Sequence, residues 1–216
     1  MPPAPTEDAS GSVAVLLYPG CTIAEVIDLS TQLRNAGRTV VHVASTGEQI
    51  TDQSGLVMVP TGTVATIDAE TVDLLAIPGG DPGSIIDDER IADWIRAVAD
   101  NGMVAGICAG VLVMAASGLL AGRRATHNYR APWAPREVED FVSSYWSDVD
   151  VEPDPTIGVV TDGSLVTALP GAAIEFAMTV ASMVGAIDEA RASLVARERR
   201  GEHVPELWPR AGEIDG

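Results

Sequence analysis

The sequence predicts an α/β fold in three layers, a mostly parallel sheet covered by helices on both faces. Three observations carry this: strand-like and helix-like runs alternate along the chain, the strand runs are almost continuously apolar, and they end in glycine-containing turns. With 216 residues, 46% of them hydrophobic, the chain can bury one full core, or one core with an appendage.

SVAVLLY (12–18) reads as a buried strand, and the apolar spacing from Ile23 to Asn35 predicts a helix stopped by Ala36-Gly37. TVVHVAS (39–45) is a second strand, GLVMVP (55–60) a short strand in a hairpin-like excursion, and VDLLAIPGG (72–80) a buried strand running into a glycine turn. A helix from about Ser84 to Asp100 follows. VAGICAG (104–110) is then a strand entering a turn, and VLVMAASGLLAG (111–122) a helix closed by Gly118 and Gly122. RRATHNY (123–129) returns as extended chain. TIGVV (156–160) and SLVTAL (164–169) flank Thr161-Asp162-Gly163 as a hairpin, and a long apolar helix covers Ala172 to Val184. The expected organisation is a flexible segment over 1–11, a domain over 12–186, and a C-terminal helix with a polar tail over 187–216. That last part holds the charged stretch EARASLVARERRG and then Pro205 and Pro209.

The net charge of −18 arises from 31 acidic residues against 13 basic ones, all arginine. That field opposes nucleic acid and anionic membrane as partners. No apolar run of about 18 residues spans a bilayer, and MPPAPTEDASGS lacks the basic start and apolar middle of a signal peptide. A cytoplasmic location is expected. Two cysteines make no disulfide framework, which fits a reducing compartment. No metal-ligand spacing and no G-x-G-x-x-G at the first strand–helix turn occur, so neither a metal nor a cofactor is expected.

The chemistry concentrates in Gly106-Ile107-Cys108-Ala109-Gly110. Gly-x-nucleophile-x-Gly allows a sharp strand-to-helix turn that exposes the middle side chain at the carboxyl edge of the sheet. The helix behind it aims free amides and a positive dipole end at the sulfur, which favours the thiolate and a lowered thiol pKa. The Ala109 amide is one candidate oxyanion donor. Pro78-Gly79-Gly80-Asp81 follows a neighbouring strand and offers a second, at Gly80. The competing reading is a packing turn around an inert, buried cysteine.

Four stretches, LYPGCTIAEVID, DLLAIPGGDPGS, AGICAG and GLLAGRRATHNY, stand in an order and at intervals that resemble the ThiJ/PfpI superfamily, from about Ser12 to Gly185. Its members include a parkinsonism-associated deglycase, peptidase-like proteins and isocyanide hydratases. The resemblance implies a flavodoxin-like three-layer sandwich with a nucleophile-elbow cysteine, and a homodimer. It places the nucleophile on Cys108, the active-site acid on Glu25, and a nearby histidine on His127. A carboxyl held beside a thiolate is partly protonated and can hand over a proton, and His127 can carry protons near neutrality or be structural. Peptidase-like members have histidine directly after the nucleophile; Ala109 stands here, which argues against a protease.

Three functions follow from the resemblance. The first is a cysteine-dependent hydratase or lyase on a small electrophile, isocyanide hydratase-like, in which Cys108 attacks carbon, the Gly80 and Ala109 amides hold negative charge, and Glu25 manages the proton. The second is a glutathione-independent glyoxalase or deglycase on 2-oxoaldehydes, favoured by Cys-Ala-Gly at the elbow. The third is a non-catalytic redox sensor or chaperone that uses oxidation of Cys108. Cys21, after Pro19-Gly20, is either a redox partner on the same sheet edge or a small packing residue. Tyr129, Trp133, Tyr145 and Trp146 either wall a substrate pocket or belong to a core or an interface.

Overall fold

The structure, a computed structural model, describes residues 12–207. The expected flexible segment 1–11 and positions 208–216 of the expected tail lie outside the described residues. In chain order the elements are β1 (Ser12–Leu16), α1 (Ala24–Asn35), β2 (Val40–Ala44), β3 (Ile50–Thr51), β4 (Val57–Met58), β5 (Gly62–Thr63), β6 (Val72–Ile77), α2 (Glu89–Ala99), β7 (Met103–Ile107), α3 (Ala109–Ala116), β8 (Arg124–Ala125), α4 (Arg136–Val142), β9 (Asp150–Val151), β10 (Val159–Asp162), β11 (Leu165–Ala168), α5 (Ala173–Met183) and α6 (Glu189–Arg199).

The main sheet has the order β10-β11-β7-β6-β1-β2-β5. All its pairings are parallel except β10 with β11, the hairpin turned by Gly163 in the left-handed region. The central strands are apolar throughout because both faces are covered: Val13–Leu16 and Leu74–Ile77 are buried along their lengths. Right-handed crossovers running outward in opposite directions from β1 and β6 put α1 on one face and α2 on the other. α1 packs on α5 and α5 on α6, whereas α2 and α3 pack on β6, on β7 and on each other. Strand β1 pairs with both β2 and β6, so the strand order reverses there. A crevice at the carboxyl ends of the strands beside such a reversal is where ligands bind in doubly wound sheets.

The helix expected from Ser84 begins instead at Glu89. Two aspartates explain the delay. The Asp81 side chain accepts from the Gly83 amide at 3.1 Å and caps a single 3₁₀ turn over Pro82–Ser84, and Asp88 accepts from the Arg90 amide at 3.0 Å and starts α2 afresh. The helix expected over 111–122 starts at Ala109 and stops at Ala116, because Gly118 and Gly122 each take a positive φ and make two successive turns. Only Arg124–Ala125 of RRATHNY is strand, and it pairs with β9 in a small separate sheet. β3 and β4 form the short antiparallel excursion expected near 55–60.

Candidate active site

Cys108 lies between the end of β7 and the first residue of α3, with φ +56° and ψ −126°. It is the one described non-glycine residue with positive φ. Such a backbone costs about 1–3 kcal/mol and persists only where its surroundings impose it. The flanking glycines show how they do. A Cβ on Gly106 would fall 2.6 Å from Met114 Sδ, and one on Gly110 would fall 2.1 Å from the Ile77 carbonyl oxygen. The spacing G-x-C-x-G is therefore a steric requirement of helix α3 turning back against β6.

Glu25 reaches the same place from the first turn of α1. The loops after β1 and β6 are closed onto each other: the Thr22 amide donates to the Gly79 carbonyl at 2.7 Å, the Asp81 amide donates to the Gly20 carbonyl at 3.1 Å, and Cys21 and Gly80 form an antiparallel bridge. Gly80 has φ +123°, and a Cβ there would sit 2.2 Å from the Gly20 carbonyl oxygen. Buried Tyr18 secures the second loop with its hydroxyl, which lies 2.8 Å from the Pro78 carbonyl and 2.7 Å from that of Gly79. With the loops so fixed, the Gly79 amide donates to Glu25 Oε2 at 2.7 Å.

Gly79 is the residue that sequence reasoning missed. A Cβ on it would lie 2.5 Å from Cys108 Cβ, 2.5 Å from Glu25 Oε2 and 2.7 Å from Cys108 Sγ. It leaves the space in which sulfur and carboxyl meet. The signal was present in the doubled glycine of PGGD, where the second glycine drew the attention as an oxyanion donor.

The thiol is not lowered, as the helix dipole alone suggested, but pushed up to about 11. Burial is the main cause and the negative charge of Glu25 the next; the Ala109 and Gly80 amides, which face the sulfur, pull downward and lose. Burial also raises the Glu25 carboxyl, against the Gly79 hydrogen bond and the hydrogen bond to Cys108. Burial thus pushes both groups toward their protonated forms, and the hydrogen bond and charge between them couple their titrations.

His127 is buried, stacked on Trp146 with centroids 4.0 Å apart, and its Nδ1 accepts from the Tyr129 amide at 3.0 Å. Burial, with the Arg130 charge behind it, pushes its pKa down to about 4. The imidazole is neutral near pH 7, with only Nε2 left to exchange a proton. The Tyr129 phenol is raised by burial and then by the charges of Cys108, Asp81 and Glu25. Cys21 is fully buried and Cys108 half-buried, and both are free. Tyr145 and Trp146 pack against the core, while Trp133 is exposed and lines a different cleft together with Asn128 and Glu175.

A doubly wound sheet that carries a cysteine on a strained elbow, with an acid from the first helix against it, defines a class of α/β proteins with a cysteine–carboxylate centre. Residues 11–183 match the DJ-1/PfpI family, and the chain belongs to that family. It is 32% identical over 177 residues to protein dj-1beta of Drosophila melanogaster, covering 80% of this chain and 88% of that protein. The crystal structure of that relative aligns with a TM-score of 0.72 at 25% identity, over 90% of this chain and all of the other. Identity to the isonitrile hydratase of Pseudomonas putida is 33% over 152 residues, 66% of this chain and 58% of that protein. Identity to the glutathione-independent glyoxalase DJR-1.2 of Caenorhabditis elegans is 27% over 176 residues, 80% of this chain and 88% of that protein.

Proposed function

We propose that the protein is a cysteine-dependent hydratase acting on a small electrophile, with an isonitrile as its substrate. The observation that carries this reading is the meeting of Cys108 and Glu25 in the space that Gly79 leaves open, with the Gly80 and Ala109 amides facing the sulfur. The identity to an isonitrile hydratase supports the substrate class. Sulfur bonds to the isonitrile carbon and a proton from the Cys108–Glu25 pair moves to that same carbon, giving a thioimidate. Water then adds across the carbon–nitrogen double bond, hydroxyl to carbon and proton to nitrogen, with Glu25 relaying the proton. As the carbon–sulfur bond breaks, the hydroxyl proton returns to the Cys108–Glu25 pair and an N-substituted formamide leaves; the two amides stabilise the departing sulfur. In this reading His127 orients Tyr129 through its amide. No metal or cofactor is required.

The second reading, a glyoxalase acting on 2-oxoaldehydes, is supported by the worm relative and by Cys-Ala-Gly at the elbow. The same pair would form a hemithioacetal, with the proton going to the carbonyl oxygen. A homodimer in the cytoplasm suits either reading: Leu56, Val57 and Val59 expose apolar surface on the β3–β4 excursion, and both cysteines are free. Among the described residues no helix is long and apolar enough to cross a membrane.

The test is turnover of an alkyl isonitrile and of methylglyoxal by the wild type, Cys108→Ala and Glu25→Gln. Formamide release that vanishes in Cys108→Ala and falls roughly 10²–10⁴-fold in Glu25→Gln is expected. Turnover of methylglyoxal alone selects the second reading. A reactive Cys108 that turns over neither, and accumulates as sulfinic acid under peroxide, sinks both in favour of a redox sensor.

A further inference from the structure

One buried polar group beside the site takes no part in the reaction. Tyr18, two residues past β1, has no exposed surface, and its hydroxyl lies 2.8 Å from the Pro78 carbonyl and 2.7 Å from the Gly79 carbonyl. A phenol has one proton to donate, so the two carbonyls share it in a three-centre bond. Burial, and then the negative charges of Cys21, Cys108 and Glu25, push the phenol up. It stays a neutral donor near pH 7 and well above.

The two carbonyls belong to successive peptides, and each peptide has a second end. The Pro78 carbonyl is joined to the Gly79 N–H, which donates to Glu25 Oε2 at 2.7 Å; the Gly79 carbonyl is joined to the Gly80 N–H, which faces the Cys108 sulfur. Both peptides are trans, so carbonyl and N–H point in opposite directions. The phenol therefore stands on one side of Pro78–Gly79–Gly80 and the reacting pair on the other. Successive amides that point to one side form a concavity that holds negative charge.

The local sequence does not fix this orientation. Gly79 is outside the left-handed region here, yet glycine enters that region at no steric cost, and Pro-Gly is the pair that favours the rotated peptide of a type II turn. Rotation would set a carbonyl oxygen, in place of the N–H, against Glu25. The Thr22 amide holds the Gly79 carbonyl at 2.7 Å and leaves that of Pro78 to the phenol. We propose that Tyr18 is a positioning residue of the Cys108–Glu25 centre, its hydroxyl holding two successive peptides by their carbonyls so that the Gly79 and Gly80 amides stay aimed at carboxyl and sulfur. Phenylalanine would fill the same space and supply no proton.

The test is Tyr18→Phe, with two midpoints read against pH. The Gly79 amide proton, followed by NMR, reports the Glu25 carboxyl, and the loss of its titration in Glu25→Gln checks the assignment; alkylation reports Cys108. Each amide pulls its partner's pKa down. Both midpoints should therefore move up in the variant, and alkylation of Cys108 at a fixed pH below the midpoint should slow roughly tenfold. A role in packing alone gives the opposite sign, because water entering the site relieves the burial that raises both groups. Cys21→Ala, which disturbs the same loop and leaves the phenol in place, should move neither midpoint. 4-Aminophenylalanine in place of Tyr18 covers the case in which the phenylalanine variant does not fold: it is a weaker donor of the same shape and should move both midpoints up by less. Turnover should fall roughly tenfold or more in Tyr18→Phe. That arm rests on the proposed function, whereas the midpoints need no substrate and decide on Tyr18 even if the wild type turns over neither compound. Midpoints that stay or move down in a folded Tyr18 variant, or that move up equally in Cys21→Ala, overturn the proposal.

Discussion

Two cysteines stand at the carboxyl edge of one sheet, Cys21 after β1 and Cys108 after β7, and they have become different kinds of residue. Cys21 follows a glycine turn, has no exposed surface, and spends its backbone on bridging Gly80. Cys108 is half-buried on a strained elbow, faces two amides and meets the Glu25 carboxyl. Both thiols are raised by burial, so the direction of that shift does not separate them. A carboxylic partner and a backbone that turns the sulfur toward it do. In the proposed function, reactivity at this edge belongs to the pairing of the residue with its neighbours, of which the cysteine is one half.

The hardest blow to that pairing falls on Gly79. Gly79→Ala inserts a methyl into the space shared by Cys108 and Glu25, and displacements near 1 Å commonly cost about a hundredfold in rate. Turnover should fall by that much or more while circular dichroism stays native; retained turnover would show that the two groups need not meet.

A smaller effect is expected in alkylation followed by mass spectrometry against pH. Cys108 should react with a midpoint near 11, whereas Cys21, fully buried, should stay unmodified until the chain unfolds. Glu25→Gln removes the negative charge that raises the thiol, so the midpoint should move down. Movement upward would mean that the resting proton sits on the carboxyl and the sulfur is already a thiolate. Smallest of all, Cys21→Ala should cost about 1 kcal/mol of stability, read from urea unfolding, and leave turnover unchanged. Lost turnover there would restore the redox-partner reading.

Much of the elbow was legible because its constraints are local. Gly106 and Gly110 stand two residues on either side of Cys108, and their missing side chains state the turn directly. The hairpin around Gly163 was legible for the same reason. The late start of α2 was less so: the apolar spacing ran back to Ser84, and the caps at Asp81 and Asp88 decided otherwise. The meeting of Gly79 with Glu25 joins positions that no local pattern relates, since it depends on two loops being closed together by backbone hydrogen bonds.

The sequence by itself determined the alternation of buried strands and helices, the nucleophile on its glycine-flanked turn, and an acidic chain without a membrane-spanning run, because composition, periodicity and steric allowance are properties of short stretches. Only the tertiary structure decided that the thiol is raised rather than lowered, that His127 is held neutral against Trp146, and that Gly79 leaves the space where Cys108 and Glu25 meet. Desolvation and hydrogen-bond satisfaction are properties of everything packed around a group, and the chain brings those surroundings together only when it folds.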